Sequence, residues 1–381
     1  MYDNIINNIK KCLPSNIKRY TVHEPIFSED IKNEINKCIQ STDVSSSGKY
    51  IDKFTENLKQ LTGSKYILLT TSGTSALFCA LNEIDVEHHE VILPSMTFVA
   101  TANSIIYAGG SPVFMDSSDI SLNIDHEKLD EYLDKNYQVI NKKCINKKNK
   151  KLMKCIIVVH AYGISADMNA INKIAKKYNI EVVEDAAGAL GSFIDNKHVG
   201  THSRMGILSF NGNKIITTGM GGAVLIRSKK DYENIKHKIS TARIDHAWKV
   251  EHNMVGYNLR MANINAALGY GQIINIKKTL ESKKRLYENY MNIFLKNKYC
   301  YIKESDHKSN NNWVINLYLK DEYKDKHQPL IKRLHKNNIL VRELWKPMHL
   351  LPMFKNFPRS KMTNCLKSWK TGFSLPSSYY K

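Results

Sequence analysis

No run of apolar residues approaches the roughly 20 needed to cross a bilayer as a helix, and the first ten residues, Met-Tyr-Asp-Asn-Ile-Ile-Asn-Asn-Ile-Lys, lack the apolar core of a secretory signal. The seven cysteines are spread singly, with no Cys-x-x-Cys pair and no histidine-rich partner spacing. That pattern excludes a disulfide framework and a zinc site as organising devices, and the expectation is a cytoplasmic protein with reduced thiols and no metal. Acidic residues are in short supply: 36 Asp and Glu face 56 Lys and Arg, a formal charge of +20. The densest basic stretch, residues 141–154, carries none of the interleaved aromatics of a base-stacking surface. It reads as a solvated loop, with no nucleic-acid partner expected, and the charge suits an anionic small substrate.

What is present is the content of a globular chain: 42% hydrophobic and 24% charged residues over 381 positions, enough for two domains and a large core. Residues 1–27 look irregular, an N-terminal arm. From Ser28, Ile31, Ile35, Cys38 and Ile39 recur at helical spacing. Short apolar runs then alternate with helical segments: Tyr66–Thr70, Glu90–Leu93, Pro112–Met115, Cys155–Val159, Glu181–Val183, Gly206–Phe210 and Ala223–Ile226. This alternation predicts an α/β domain over 28–260, with a mostly parallel sheet sandwiched by helices. A smaller α/β domain is expected over 261–381, including a long connecting helix.

In open α/β sheets, ligands sit beyond the carboxyl ends of the strands, and unusual residues fall there repeatedly. After Thr70 comes Thr71-Ser-Gly-Thr-Ser-Ala-Leu77, a hydroxyl-rich turn opening a helix, whose N–H groups, dipole and hydroxyls suit a phosphate. Taken alone it reads as an ordinary capped helix. Phe98 follows the second strand and could stack on a planar ligand or fill the core. Asp185 ends an apolar strand, where its carboxylate needs either a cation or a helix N-terminus to cap. Lys214 stands in Ser209-Phe-Asn-Gly-Asn-Lys-Ile-Ile-Thr-Thr-Gly219, a turn that could hold an amine in one place, desolvated and neutral enough to attack an aldehyde. A phosphate turn, a ring platform, an acid for a ring nitrogen and a lysine for an aldehyde together suit pyridoxal 5′-phosphate.

These stretches, with Pro94-Ser-Met-Thr-Phe-Val-Ala-Thr101, Glu184-Asp-Ala-Ala-Gly-Ala-Leu-Gly191 and Gly256-Tyr-Asn-Leu-Arg-Met-Ala-Asn-Ile-Asn-Ala-Ala267, resemble the DegT/DnrJ/EryC1/StrS sugar aminotransferases. The resemblance runs from about Ile26 to the end of the chain. It implies the fold-type I architecture of pyridoxal-phosphate transferases, similar to aspartate aminotransferase. Lys214 would bond the cofactor's aldehyde and Asp185 would pair with its ring nitrogen. Ser209 and the Gly73-Thr74-Ser75 turn would hold the phosphate, and Phe98 would stack on the ring. Asn258 and Arg260 match positions that reach a neighbouring subunit's site, implying a homodimer with shared sites.

The implied reaction moves an amino group from L-glutamate to the keto group of a nucleotide-linked deoxy sugar. The spelling around Lys214 is nearest the relatives that aminate C4 of UDP-linked 4-keto-6-deoxy-N-acetylhexosamines for surface glycans, with GDP-4-keto-6-deoxymannose as the rival acceptor. Relatives that dehydrate sugars have histidine at the lysine position, which Lys214 argues against. A non-catalytic, basic regulatory or binding protein on the same fold is the reading from another class. Arg260, Arg342, Lys346 and His349 are candidates for the nucleotide's charge, or ordinary surface residues. Three positions depart from the pattern. Gly188 stands where histidine or glutamine is usual, Ser203-Arg-Met replaces a more acidic turn, and the chain stops at Tyr380-Lys381, short of the expected last helix.

Overall fold

A computed structural model describes residues 1–304, 306 and 309–378; the chain end at Tyr380-Lys381 lies outside them. Its centre is a seven-stranded sheet. The strands are β1 (Tyr66–Thr70), β2 (Glu90–Pro94), β3 (Ser111–Met115), β4 (Met153–Val159), β5 (Glu181–Asp185), β6 (Met205–Ser209) and β7 (Gly222–Ile226). They lie in the order β1-β7-β6-β5-β4-β2-β3. All neighbours run parallel except β7, which is antiparallel to both β6 and β1.

Alternate residues of each strand enter different helical layers. Val91, Leu93, Ile157 and Val183 join the core beneath the helices Gly73–Ile84 and Val99–Tyr107. Ile92, Ile156, Val158 and Val182 join a second core with Leu129, Leu133, Ile171 and Ile174 from the helices His126–Asn136 and Met168–Tyr178. Burial on both faces is why these strands read as continuous apolar runs.

The second unit is a four-stranded antiparallel sheet of Cys300–Ile302, Asn316–Leu319, Gly372–Ser374 and Arg342–Glu343, in that order. It packs on the long helix Ile276–Phe294 and the helix His327–Lys336. Here the expectation of an irregular arm over 1–27 is corrected. Tyr2–Lys11 is a helix whose Ile5, Ile6 and Ile9 are buried against Leu286, Tyr290, Phe294 and Leu330. Tyr20–Thr21 then pairs in parallel with Ile339–Leu340. The lysine-rich stretch is also more ordered than a loop, since Tyr137–Ile140 and Lys143–Asn146 form an antiparallel hairpin. Among the described residues no helix is long and apolar enough to cross a membrane.

Candidate active site

A cavity of about 420 Å³ opens at the carboxyl ends of β1, β2, β4, β5 and β6. Strand direction decides what reaches it, because the first residues beyond these parallel strands are the ones left without a partner strand.

Beyond β1, the helix Gly73–Ile84 begins. Ser72 caps it, its Oγ accepting the Ser75 N–H at 3.0 Å. The first-turn N–H groups that no helical carbonyl can take belong to Gly73 and Thr74, both of which line the cavity. Ser209, at the end of β6, stands against this turn. A Cβ at Gly73 would come within 2.9 Å of Ser209 Cβ, so glycine is what allows the hydroxyl to sit beside the helix N-terminus. Ser75 itself points into the cap, its Oγ 2.9 Å from the hydroxyls of Thr71 and Ser72, and is not a lining residue.

Asp185 ends β5 and is buried. Its Oδ2 accepts from Thr101 Oγ1 at 2.8 Å and its Oδ1 from the Ala187 N–H at 3.1 Å. Burial pushes the carboxyl above its ordinary value, while the two donors and the Lys214 charge pull it back only in part. Among the described residues no hydrogen bond or ion pair joins it to a cation. The neighbouring Glu184 faces the other way and holds His160, which lines the cavity. Its carboxylate accepts from the N–H groups of Gly200, His202 and Ser203, from Ser203 Oγ, and from His160 Nε2 at 3.1 Å. Ala166 donates to His160 Nδ1, which leaves the ring proton on Nε2. Burial alone would raise the Glu184 carboxyl; the donors led by His160 outweigh it and hold it below the usual range. The Ser203-Arg-Met departure falls here. Ser203 serves Glu184, and Arg204 makes a two-pronged pair with Asp231 at 2.9 Å.

Lys214 sits in the turn after β6, its N–H donating to Asn211 O at 3.0 Å. Burial lowers its amine to about 8, with Asp185 opposing. Its Nζ lies 3.8 Å from the centre of the Trp313 ring. Phe98 projects into the mouth of the cavity, 57% exposed, with its ring centre 6.4 Å from that of Trp345. Trp345 stacks on Tyr162 at 4.1 Å, and its main-chain N–H donates to the Tyr162 hydroxyl.

Of the candidate residues, the structure therefore gathers Gly73, Thr74, Phe98, Asp185, Ser209, Lys214 and Arg342 around one cavity. His349 is not there. It is buried, with Nδ1 2.7 Å from Ser95 Oγ, so a role at the cavity surface is corrected to one in the interior. Lys346 is exposed outside the cavity. Asn258 and Arg260 are exposed and line nothing in their own chain's cavity, although Leu259 O accepts the Thr71 N–H beside the 71–77 turn. Sequence reasoning missed Thr101, His160, Tyr162 and Trp313. A threonine or tyrosine within an apolar segment carries no signal of its own, and Trp313 reaches the site only through the packing of the second unit.

The donor set fits pyridoxal 5′-phosphate: an unpaired buried carboxylate, an amine with lowered proton affinity, and a glycine-permitted hydroxyl and N–H cradle. A model of the DegT/DnrJ/EryC1/StrS aminotransferase family matches residues 25–379. The chain is 30% identical to GDP-perosamine synthase of Vibrio cholerae, over 94% of this chain and 90% of that one. It is 31% identical to UDP-4-amino-4,6-dideoxy-N-acetyl-beta-L-altrosamine transaminase of Campylobacter jejuni, over 93% and 91%. Among solved structures it is similar to Helicobacter pylori PseC, an aminotransferase involved in the biosynthesis of pseudoaminic acid. That likeness has a TM-score of 0.85 at 25% identity, covering 94% of each chain. The chain belongs to the DegT/DnrJ/EryC1/StrS aminotransferase family, with its fold-type I architecture and its pyridoxal-phosphate cofactor.

Proposed function

We propose that this family member, a sugar aminotransferase of nucleotide-sugar biosynthesis, transfers an amino group from L-glutamate to C4 of a UDP-linked 4-keto-6-deoxy-N-acetylhexosamine. The observation that carries the catalytic part is the placement of a lowered amine, Lys214, and an unpaired buried acid, Asp185, on the same cavity. When bound, pyridoxal phosphate supplies an aldehyde that carries the amino group and a ring that draws electrons from the carbon losing its proton.

The chain's own residues do the rest. Asp185 would pair with the cofactor's protonated ring nitrogen, which would offset the cost of a buried carboxylate that has no cation of its own. Lys214 Nζ would move the proton between the cofactor's aldehyde carbon and the substrate carbon, from the amino acid's carbon in one half of the cycle and to the sugar's in the other. With its amine lowered to about 8 by burial, Lys214 is neutral near pH 7.5 far more often than an ordinary lysine. The Gly73 and Thr74 N–H groups and Ser209 Oγ would hold the phosphate, and Phe98 would offer its ring to the cofactor's. Arg342, at the mouth, meets the nucleotide's charge. Asn258 and Arg260 complete the neighbouring subunit's site in a homodimer.

Support for the sugar comes from the two relatives above, one named for a UDP-linked 4-amino-4,6-dideoxy sugar and the other for GDP-perosamine. The second reading, amination of GDP-4-keto-6-deoxymannose, rests on the latter. Steady-state rates with glutamate and each acceptor, with mass spectrometry of the product, decide between them. The expected result is a kcat/KM at least about tenfold higher for the UDP sugar, a difference of some 1.4 kcal/mol. Preference for the GDP sugar would overturn the acceptor and leave the enzyme class standing.

A further inference from the structure

Position 188, three residues after Asp185, is glycine and lines the cavity. Its backbone is not in the left-handed region that demands glycine, so conformation does not exclude a side chain there. Trp313 does. A Cβ at 188 would stand 2.5 Å from Trp313 Cε3 and 2.7 Å from Cζ3, so the indole already fills the space into which such a side chain would grow.

Trp313 is fixed at both its main chain and its ring. Asn311 Oδ1 accepts the Trp313 N–H at 2.9 Å, while Asn311 Nδ2 donates at 2.9 Å to the carbonyls of Gly188 and Leu190. Trp313 O accepts from the fully buried Lys283 Nζ at 2.7 Å. On its working side, indole Nε1 donates at 2.7 Å to the carbonyl of Asn213, and the ring face covers Lys214 Nζ. A core tryptophan needs only a partner for its ring nitrogen. This one spends that bond on the residue next to the lysine and its face on the lysine's amine.

We propose that Trp313 is a positioning residue for Lys214, its indole standing in for the side chain absent at 188 and fixing both the amine and the turn that carries it. The inference rests on the reading of Lys214 as the reacting lysine. It makes two demands. Residues 188 and 313 must behave as one unit, and loss of the Nε1 bond must disturb Lys214 more than it disturbs the fold.

Trp313→Phe keeps a ring and most of the volume but loses the bond to Asn213. Its kcat should fall about tenfold or more, with KM for the nucleotide sugar within about twofold. In the cofactor-free protein, the pH midpoint for chemical modification of Lys214 should move by about half a unit or more. Gly188→Gln alone should weaken pyridoxal-phosphate binding about tenfold. The pair Gly188→Gln with Trp313→Ala should lose at least about tenfold less than the product of the two singles. Additive effects in that cycle, or a Trp313→Phe protein with unchanged kcat and unchanged modification midpoint, would overturn the proposal. Should Trp313→Ala fail to fold alone, the Phe variant decides. Borohydride fixing the cofactor of the wild-type protein to another lysine would instead overturn the reading of Lys214 itself.

Discussion

Thr101 Oγ1 donates a 2.8 Å hydrogen bond to Asp185 Oδ2, and the Thr97 hydroxyl lies 2.8 Å behind it. That short relay from one helix start is the main polar support of a carboxylate that burial disfavours. Because burial leaves the Asp185 carboxyl above its unfolded value, the folded chain binds more protons than the unfolded chain across the window between the two. The ionised group thus costs stability at neutral pH, and the cost fades as the pH falls through that window. In the cofactor-free protein, Asp185→Asn should raise the thermal midpoint at pH 7 by about 2 °C or more, a gain that shrinks toward pH 4, while turnover is lost. Thr101→Val should weaken cofactor binding about tenfold, since a hydrogen bond to a charged group is worth about 1.5–3 kcal/mol, and Thr101→Ser should retain it. Equilibrium titration of the cofactor and thermal melts at two pH values check both.

Lys214 should stand apart from the surface lysines in the cofactor-free protein. Modification by an amine reagent, followed by peptide mapping, should show a midpoint near pH 8 at Lys214, against about 10.4 for exposed lysines. The sign for stability is the opposite of that for Asp185 at low pH: the unfolded chain binds the extra proton, so stability rises with pH between the two lysine values. Lys214→Ala should abolish turnover and the borohydride-fixed label yet still bind pyridoxal phosphate non-covalently. A Lys214 midpoint equal to that of the surface lysines would remove the neutral amine from the mechanism.

Leu259 O accepts the Thr71 N–H, which ties the residue after Asn258 to the 71–77 turn, yet Asn258 itself is exposed and outside its own chain's cavity. If it serves the partner's site, Lys214→Ala and Asn258→Ala chains should complement. A mixed dimer then holds one site with both native residues and one with neither, so an equal mixture after subunit exchange should recover about a quarter of wild-type activity. No recovery with exchange demonstrated would assign Asn258 to its own subunit.

The central strands and the acid and lysine at their ends were legible because burial on both faces strips a strand of polar residues, and Asp185 then stands out against Val182 and Val183. The helix Tyr2–Lys11 was not. It is short, rich in asparagine, and stable only through Leu286, Tyr290 and Phe294, partners that helix propensity does not contain. Gly188 was visible as a departure, but its cause was not: the indole that replaces a side chain there bonds to a residue 100 positions away. Arg342 and His349 looked alike as basic residues in one segment, and only the packing separates them.

That separation yields the last prediction. Arg342 is exposed at the cavity mouth, beside Trp345, where a guanidinium can meet an anionic substrate without a desolvation cost. Arg342→Ala should therefore raise the KM for the nucleotide sugar about tenfold, leave kcat within about threefold, and leave the KM for glutamate nearly unchanged. His349 is buried, bonds Ser95 Oγ and carries a pKa lowered by burial and by the charge of Arg359. It stays neutral at pH 7, so it brings no charge to the substrate. His349→Ala should instead take the ring partner from Ser95 Oγ, leaving it the main-chain N–H of residue 349 at 3.4 Å, and cost about 1–3 kcal/mol of stability, with KM unaffected in the folded fraction. Paired kinetics and thermal melts on the two variants test the distinction. A KM effect at His349 with unchanged stability, or a stability loss at Arg342 with unchanged KM, would reverse the assignment of the two residues.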